Sequence, residues 1–244
     1  MTREPHPPSK AASFHTTRWT RVGLAKTGSE DGKRALADLC DSYYEPVVAF
    51  LRWELRDADA ARDMSHAFFS EMLAGGTIAG VEQGRGRFRS YLLGAVKHFL
   101  ANQREAARRM KRGGGVVNVS LDEDLSGVLN LPDERQISPD AAFDREWALT
   151  TLAHAMETVK QECEKEGKAD FFHQIKPWLT GDATHGDQGA VAEACAMSPA
   201  ALKMAISRLR RRFRDCVRAE VAGTLDDVAM VETEMQELFA ALSS

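Results

Sequence analysis

The sequence predicts an all-α fold, and three observations carry that expectation. Apolar residues recur at steps of three and four along most of the chain, which is the helical period. Serine–proline pairs, good helix starts, open two of the longest such runs, at Ser138-Pro139 and Ser198-Pro199. Between the halves lies a glycine-led acidic stretch of about 25 residues without an apolar period of its own, a length usual only for linkers or functional loops. The expected architecture is two helical domains joined by an acidic linker, the second containing a helix-turn-helix, with a C-terminal amphipathic helix after it.

In order along the chain, residues 1–12 read as a disordered lead, with Pro5, Pro7 and Pro8 and little to bury. Residues 13–112 form the first domain. Within it, FHTTRWTRVGLAK is expected to make a short helix that packs Trp19 and Val22. Ala35, Leu36, Leu39, Tyr43, Val47, Phe50, Leu51 and Leu55 then keep the helical step, and Pro46 predicts a break or a new start. A further helix turns Ala60, Ala61, Met64, Ala67, Phe68 and Met72 inward and Asp59, Arg62, Asp63, His66 and Ser70 outward, and Gly75-Gly76 stops it.

The next element is strongly basic. Arg85, Arg87, Arg89, Lys97, Arg104, Arg108, Arg109, Lys111 and Arg112 stand against the single Glu105, while Phe88, Tyr91, Leu92, Ala95, Val96, Phe99 and Leu100 supply an apolar face. Cations interleaved with aromatics suit both phosphate neutralisation and stacking on unpaired bases. The same aromatics also fit an ordinary core, Phe99 more so than Tyr91.

Residues 113–140 are the linker, opened by Gly113-Gly114-Gly115 and carrying Asp122, Glu123, Asp124, Asp133 and Glu134. The second domain, 141–222, starts with an amphipathic run through Phe143, Trp147, Leu149, Leu152, Met156 and Val159 that ends near Gly167. A short helical segment at 171–179 and a polar loop at 181–189 follow. Val191, Ala194 and Cys195 then give a short apolar-faced helix, with Ala196, Met197 and the Ser198 cap before the next one. That next helix carries Leu202, Ala205, Ile206, Leu209 and Phe213 on one side and Ala200, Lys203, Met204, Ser207, Arg208 and Arg211 on the other. This is a helix-turn-helix pattern, whose second helix would enter a DNA major groove. An ordinary surface helix with a charged face is the plainer alternative. Residues 223–244 make the C-terminal helix, expected over 224–242, with Val228, Val231, Met235, Leu238, Phe239 and Leu242 on one side and Glu232, Glu234 and Glu237 on the other.

Composition narrows the function. With 244 residues, 43% of them hydrophobic, the chain can bury a core and is not a disordered one. No apolar run approaches the roughly 20 residues of a spanning helix, and MTREPHPPSK lacks the apolar region of a signal peptide, so a cytoplasmic location away from membranes is expected. Cys40, Cys163, Cys195 and Cys216 are scattered and read as reduced thiols. No HExxH, GxGxxG or Walker loop occurs, so neither a metal, a cofactor nor catalysis is expected. The net charge of −4 hides two basic segments set between acidic ones, and does not exclude nucleic acid.

Taken together, the helical domain, basic aromatic helix, acidic linker and C-terminal helix-turn-helix resemble an extracytoplasmic-function (ECF) sigma factor of the bacterial sigma-70 family. The likeness runs from about Ala35 to Arg214: ALADLCDSYYEPVVAFLRWEL looks like the first conserved helices, and DADAARDMSHAFFSEML like the segment that docks on the polymerase clamp. GRFRSYLLGAVKHFLANQREAARRMKR is similar to the helix that opens the minus-ten element, and SPAALKMAISRLRRRFR to the minus-35 recognition helix.

The resemblance implies a binding function, with core RNA polymerase and promoter DNA as partners. It also leaves a place for an anti-sigma or other regulatory protein, and implies a monomer when free. It assigns polymerase docking to Asp63, His66 and Phe69. The minus-ten contacts would be Phe88, Arg89, Tyr91, Lys97, His98, Asn102, Arg104, Arg108 and Arg109. The minus-35 contacts would be Ser198, Ala200, Lys203, Met204, Ser207, Arg208, Arg211 and Arg212. His66 stands where the family commonly has glutamine, and Ala67 where an acid follows. These departures leave a polymerase-independent helix-turn-helix regulator as the alternative.

Overall fold

The structure, a computed structural model, describes residues 29–73, 87–113, 138–180, 188–225 and 227–243. The expectations for the N-terminal lead, the helix at 14–26, the Gly75-Gly76 stop and most of the linker and of the 181–189 loop lie outside these residues, as does Arg85. The all-α fold is observed: among the described residues every regular element is a helix.

Helix α1 spans Glu30–Leu55 and α2 spans Ala58–Leu73. The Ser29 hydroxyl accepts from the Gly32 amide at 3.0 Å to start α1, and Arg56, with φ 57°, turns the chain out of it. The Asp57 carboxylate then takes the amides of Asp59 and Ala60 at 2.9 and 3.0 Å, the N-terminal capping role of a short acidic side chain. The break expected at Pro46 does not occur, and α1 runs through it. An interior proline costs about 3 kcal/mol, but Tyr43, Val47, Phe50 and Leu51 around it are all buried, and burial of about 1.5–3 kcal/mol per large apolar side chain outweighs the lost bond.

Helix α3 is Phe88–Gly113 and α4 is Pro139–Lys165. Ser138 caps α4, its hydroxyl accepting from Ala141, and Gly167, with φ 69°, follows the helix where the sequence placed its end. The segment expected at 171–179 is two short helices, α5 (Ala169–Ile175) and α6 (Pro177–Thr180), because Pro177 cannot continue the first. Then come α7 (Gln188–Ala194) and α8 (Pro199–Ala222), joined by a turn in which Ala196 has φ 50°.

The last helix starts later than expected. Thr224 and Leu225 are buried in a turn, Asp227 caps a short 3-10 helix at Val228–Met230, and α9 is Val231–Ser243. Thr224 closes α8 by donating its hydroxyl to the Val221 carbonyl at 2.7 Å, which is why the helical register does not carry across.

Two apolar cores result. One joins α1, α2, α3, the first half of α4, the end of α8 and α9, around Tyr43, Phe50, Phe68, Phe88, Phe143 and Trp147. The other joins the second half of α4 with α5, α6, α7 and the first half of α8, around Phe172, Ile175, Trp178 and Leu202. Helices α4 and α8 each contribute to both, and Phe213 and Cys216 touch both. No helix among the described residues is long and apolar enough to cross a membrane.

Candidate nucleic-acid interface

Helix α8 follows from its sequence at the N-terminus. The Ser198 hydroxyl accepts from the Ala201 amide at 3.2 Å, and Pro199 occupies the first position, where no amide is needed. The i, i+3, i+4 step buries Leu202, Ile206 and Leu209 against the second core. What remains outside is Ala200, Lys203, Met204, Ser207, Arg208, Arg211 and Arg214, all exposed and on one side of the helix. Met204 is 56% exposed. Lys203, Arg208, Arg211 and Arg214 make no ion pair among the described residues.

Two neighbouring arginines behave differently. Arg210 donates from two guanidinium nitrogens to the Trp178 carbonyl at 3.0 and 2.9 Å, fastening α6 to α8. Arg212 pairs with Glu162 and, at 2.8 Å, with Glu166. Its pKa is raised: burial opposes the charge, and Glu166 and Glu162 more than offset it. Of the eight residues assigned to the minus-35 face, Arg212 is thus directed to α4 rather than outward. The remaining seven, including the capping Ser198, are exposed.

Helix α3 divides its assigned residues further. Phe88 is buried against Tyr43, with ring centroids 5.1 Å apart, and Tyr91 is half-buried beside it. Arg89 is buried too. It donates to Glu234 at 2.6 Å, pairs with Asp144 and Glu237, and lies over the Trp147 ring. Burial works against its charge, yet Glu234 and Asp144 raise its pKa.

Lys97 pairs with Asp140 at 2.6 Å, Arg104 with Glu54 at 2.9 Å, and Arg109 with Glu105 on the preceding turn. Arg108 is exposed. Asn102 Nδ2 lies 3.2 Å from the ring Nδ1 of exposed His98. Tyr91, Gly94, His98 and Phe99 of α3, with Glu71 of α2, wall an open pocket of about 350 Å³.

Of the residues expected to dock on polymerase, Asp63 and His66 are exposed on α2, and His66 Nε2 lies 2.9 Å from the Tyr44 hydroxyl. Phe69 is not with them: it is 6% exposed and packs against Phe68 and Tyr44. Ala67, expected inward, is exposed in its place.

The acidic partners of Arg87 and Arg89 were not singled out in the sequence as a cluster. Glu234 carries the readable signal, since it shares the period of Val231, Met235 and Leu238, and an acid on a buried stripe demands a cation. Against this geometry, no protein-family model, curated protein or solved structure matches the chain.

Proposed function

We propose that this chain is an ECF-type sigma factor, which binds bacterial core RNA polymerase and directs it to promoters. The observation that carries the reading is the outer side of α8, where Ala200, Lys203, Met204, Ser207, Arg208 and Arg211 stand exposed on a helix entered through a short turn from α7. Cationic and small residues at the start of a helix are what a major groove admits.

Lys203, Ser207 and Arg208 would read base edges of the minus-35 element, and Met204 would meet a thymine methyl. Arg211 and Arg214 would take phosphates, while Arg212 holds α8 to α4. Beside α3, the pocket edged by Tyr91 and His98 would offer ring surface to an unstacked minus-ten base, a contact worth about 1–3 kcal/mol. The work is binding and strand separation, and no bond of the substrate is broken.

Mixing the purified chain with core RNA polymerase, separating by gel filtration and transcribing a genomic library tests the reading. Co-elution, with start sites that share two spaced elements, supports it. Elution apart from polymerase, with no initiation, sinks it. One observation favours the rival of a polymerase-independent regulator: Phe69 is buried, which leaves Asp63 and His66 to carry the docking contact. That rival requires a stable dimer and a palindromic site.

A further inference from the structure

Helix α9 is fastened to the start of α3 by charge. Arg87 Nε lies 2.9 Å from a Glu234 oxygen, and its Nη1 pairs with Glu237. Arg89 reaches both of the same acids and Asp144 as well. The amide of Phe88, first in α3, donates to the Thr224 carbonyl at 3.3 Å in the turn that leads to α9. Glu234 is 0% exposed and the Arg89 side chain 7%, so solvent does not screen the inner part of this cluster.

We propose that α9 is an intramolecular latch, in which Glu234 and Glu237 occupy Arg87 and Arg89 in place of nucleic-acid phosphate, so that the free chain masks the start of its own minus-ten helix. The proposal rests on the nucleic-acid reading of α3 given above. Three features make this contact releasable. The cluster sets two guanidiniums against three carboxylates, so it carries excess negative charge, and a phosphate replacing Glu237 would use the same forked donors. Glu237 is 41% exposed, which gives a polyanion a way in. Among the described residues, the connection between α8 and α9 holds a turn and a short 3-10 helix, so α9 can leave without unwinding either long helix.

Opening uncovers Val231, Met235 and Leu238, which are buried against the first core. It also breaks the pair between Glu232 and Arg218 on α8, 2.8 Å apart. The closed form therefore dominates until a ligand binds the open one more tightly, which is the condition for a population shift. The acidic residues that the sequence places after the recognition helix thus act on a segment far before it.

The test uses the full chain as wild type, E237Q, E234Q/E237Q and E232Q. Hydrogen–deuterium exchange over 231–243 reads the latch itself, and fluorescence anisotropy with a labelled single-stranded oligonucleotide of mixed sequence reads what it masks. E237Q should speed the exchange and tighten single-strand binding by about tenfold, the size of one charge-assisted hydrogen bond. The double variant should go further. E232Q removes a pair that also breaks on opening, so it should shift exchange and single-strand binding in the same direction as E237Q but by less, because its two side chains are largely exposed. If loss of buried Glu234 unfolds the double variant, E237Q decides alone.

Unchanged exchange in E237Q would overturn the latch. So would faster exchange with unchanged binding, which would make α9 a strut that hides nothing. Failure of the sigma reading is separable: wild type and E237Q would both miss core polymerase in gel filtration while exchange and single-strand binding still answered to E237Q, and the latch would stand.

Discussion

The Arg89 guanidinium lies 4.5 Å from the centroid of the Trp147 ring, so a cation from α3 is seated on the largest aromatic of α4. Both are buried, and three carboxylates surround the guanidinium. Removing the cation strands Glu234, which has no access to solvent. Arg89→Ala should therefore destabilise the chain by about 3–5 kcal/mol, with Arg87 keeping it toward the lower end. Arg89→Lys should lie between, since an ammonium lacks the fork that serves several acids. Urea midpoints for the two variants check the order, and equal midpoints for Arg89→Ala and wild type would refute it.

Two acids of this cluster, Asp144 and Glu237, respond to pH in opposite directions. Burial raises the pKa of Asp144 above 3.8, and Arg89 offsets only part of that. Burial also acts on Glu237, but Arg87 and Arg89 bring it below 4.5. A raised carboxyl binds its proton more tightly when folded, so its contribution is fully present below its unfolded pKa and is lost as pH rises through the folded one. A lowered carboxyl contributes above its unfolded pKa and loses that as pH falls through the folded one. As pH falls from about 6 to 3, Asp144→Asn should make the loss of stability on acidification steeper, and Glu237→Gln should make it shallower in the lower part of that range, below the ordinary glutamate value. Chemical denaturation at stepped pH reads both slopes, and the reverse order would contradict the assignment.

On α8 the exposed and the tethered arginines should separate cleanly. Under the proposed sigma-factor function, Arg208→Ala should weaken binding to a minus-35 duplex, measured as polymerase holoenzyme, by about 1–3 kcal/mol and relax base preference. Arg211→Ala should weaken all sequences alike and reduce the slope of log affinity against log salt by about 0.9. Arg212→Ala should leave DNA affinity intact and cost about 0.2–1 kcal/mol of stability, the range for a partly exposed ion pair. A DNA defect in Arg212→Ala as large as that in Arg208→Ala would place Arg212 on the wrong side of the helix.

Gly94 sits inside α3, where a Cβ would meet nothing within 4 Å. Gly94→Ala should stabilise the helix by about 0.5–1 kcal/mol through reduced freedom of the unfolded chain. The added methyl also narrows the pocket between Tyr91 and His98. Melting temperature should rise while, under the proposed function, affinity for single-stranded DNA falls. A rise in both would separate that pocket from base capture.

Local features of the fold were legible because their causes are local. Ser138-Pro139 and Ser198-Pro199 mark helix starts through a hydroxyl and a missing amide, and the α8 stripe through Leu202, Ile206 and Leu209 follows from period alone. Pro46 misled because the burial that overrides it comes from other helices. The partners of Arg89 were hidden for the same reason: Glu234 is 145 residues away, a distance over which spacing carries no signal. Arg212 and Phe69 were placed outward by likeness to a family pattern, whereas their contacts with Glu162 and Tyr44 depend on how α4 and α1 lie.

The sharing of α4 and α8 between the two cores has a thermodynamic consequence. A helix unravels as a unit more readily than it breaks in its middle, so loss of either core withdraws support from the other. Heating should then give one cooperative transition, with calorimetric and van't Hoff enthalpies equal, where two self-sufficient globules on a tether would melt in two steps. Any ligand that grips Lys203 or Arg208 at one end would accordingly raise the protection of backbone amides around Trp147 at the other.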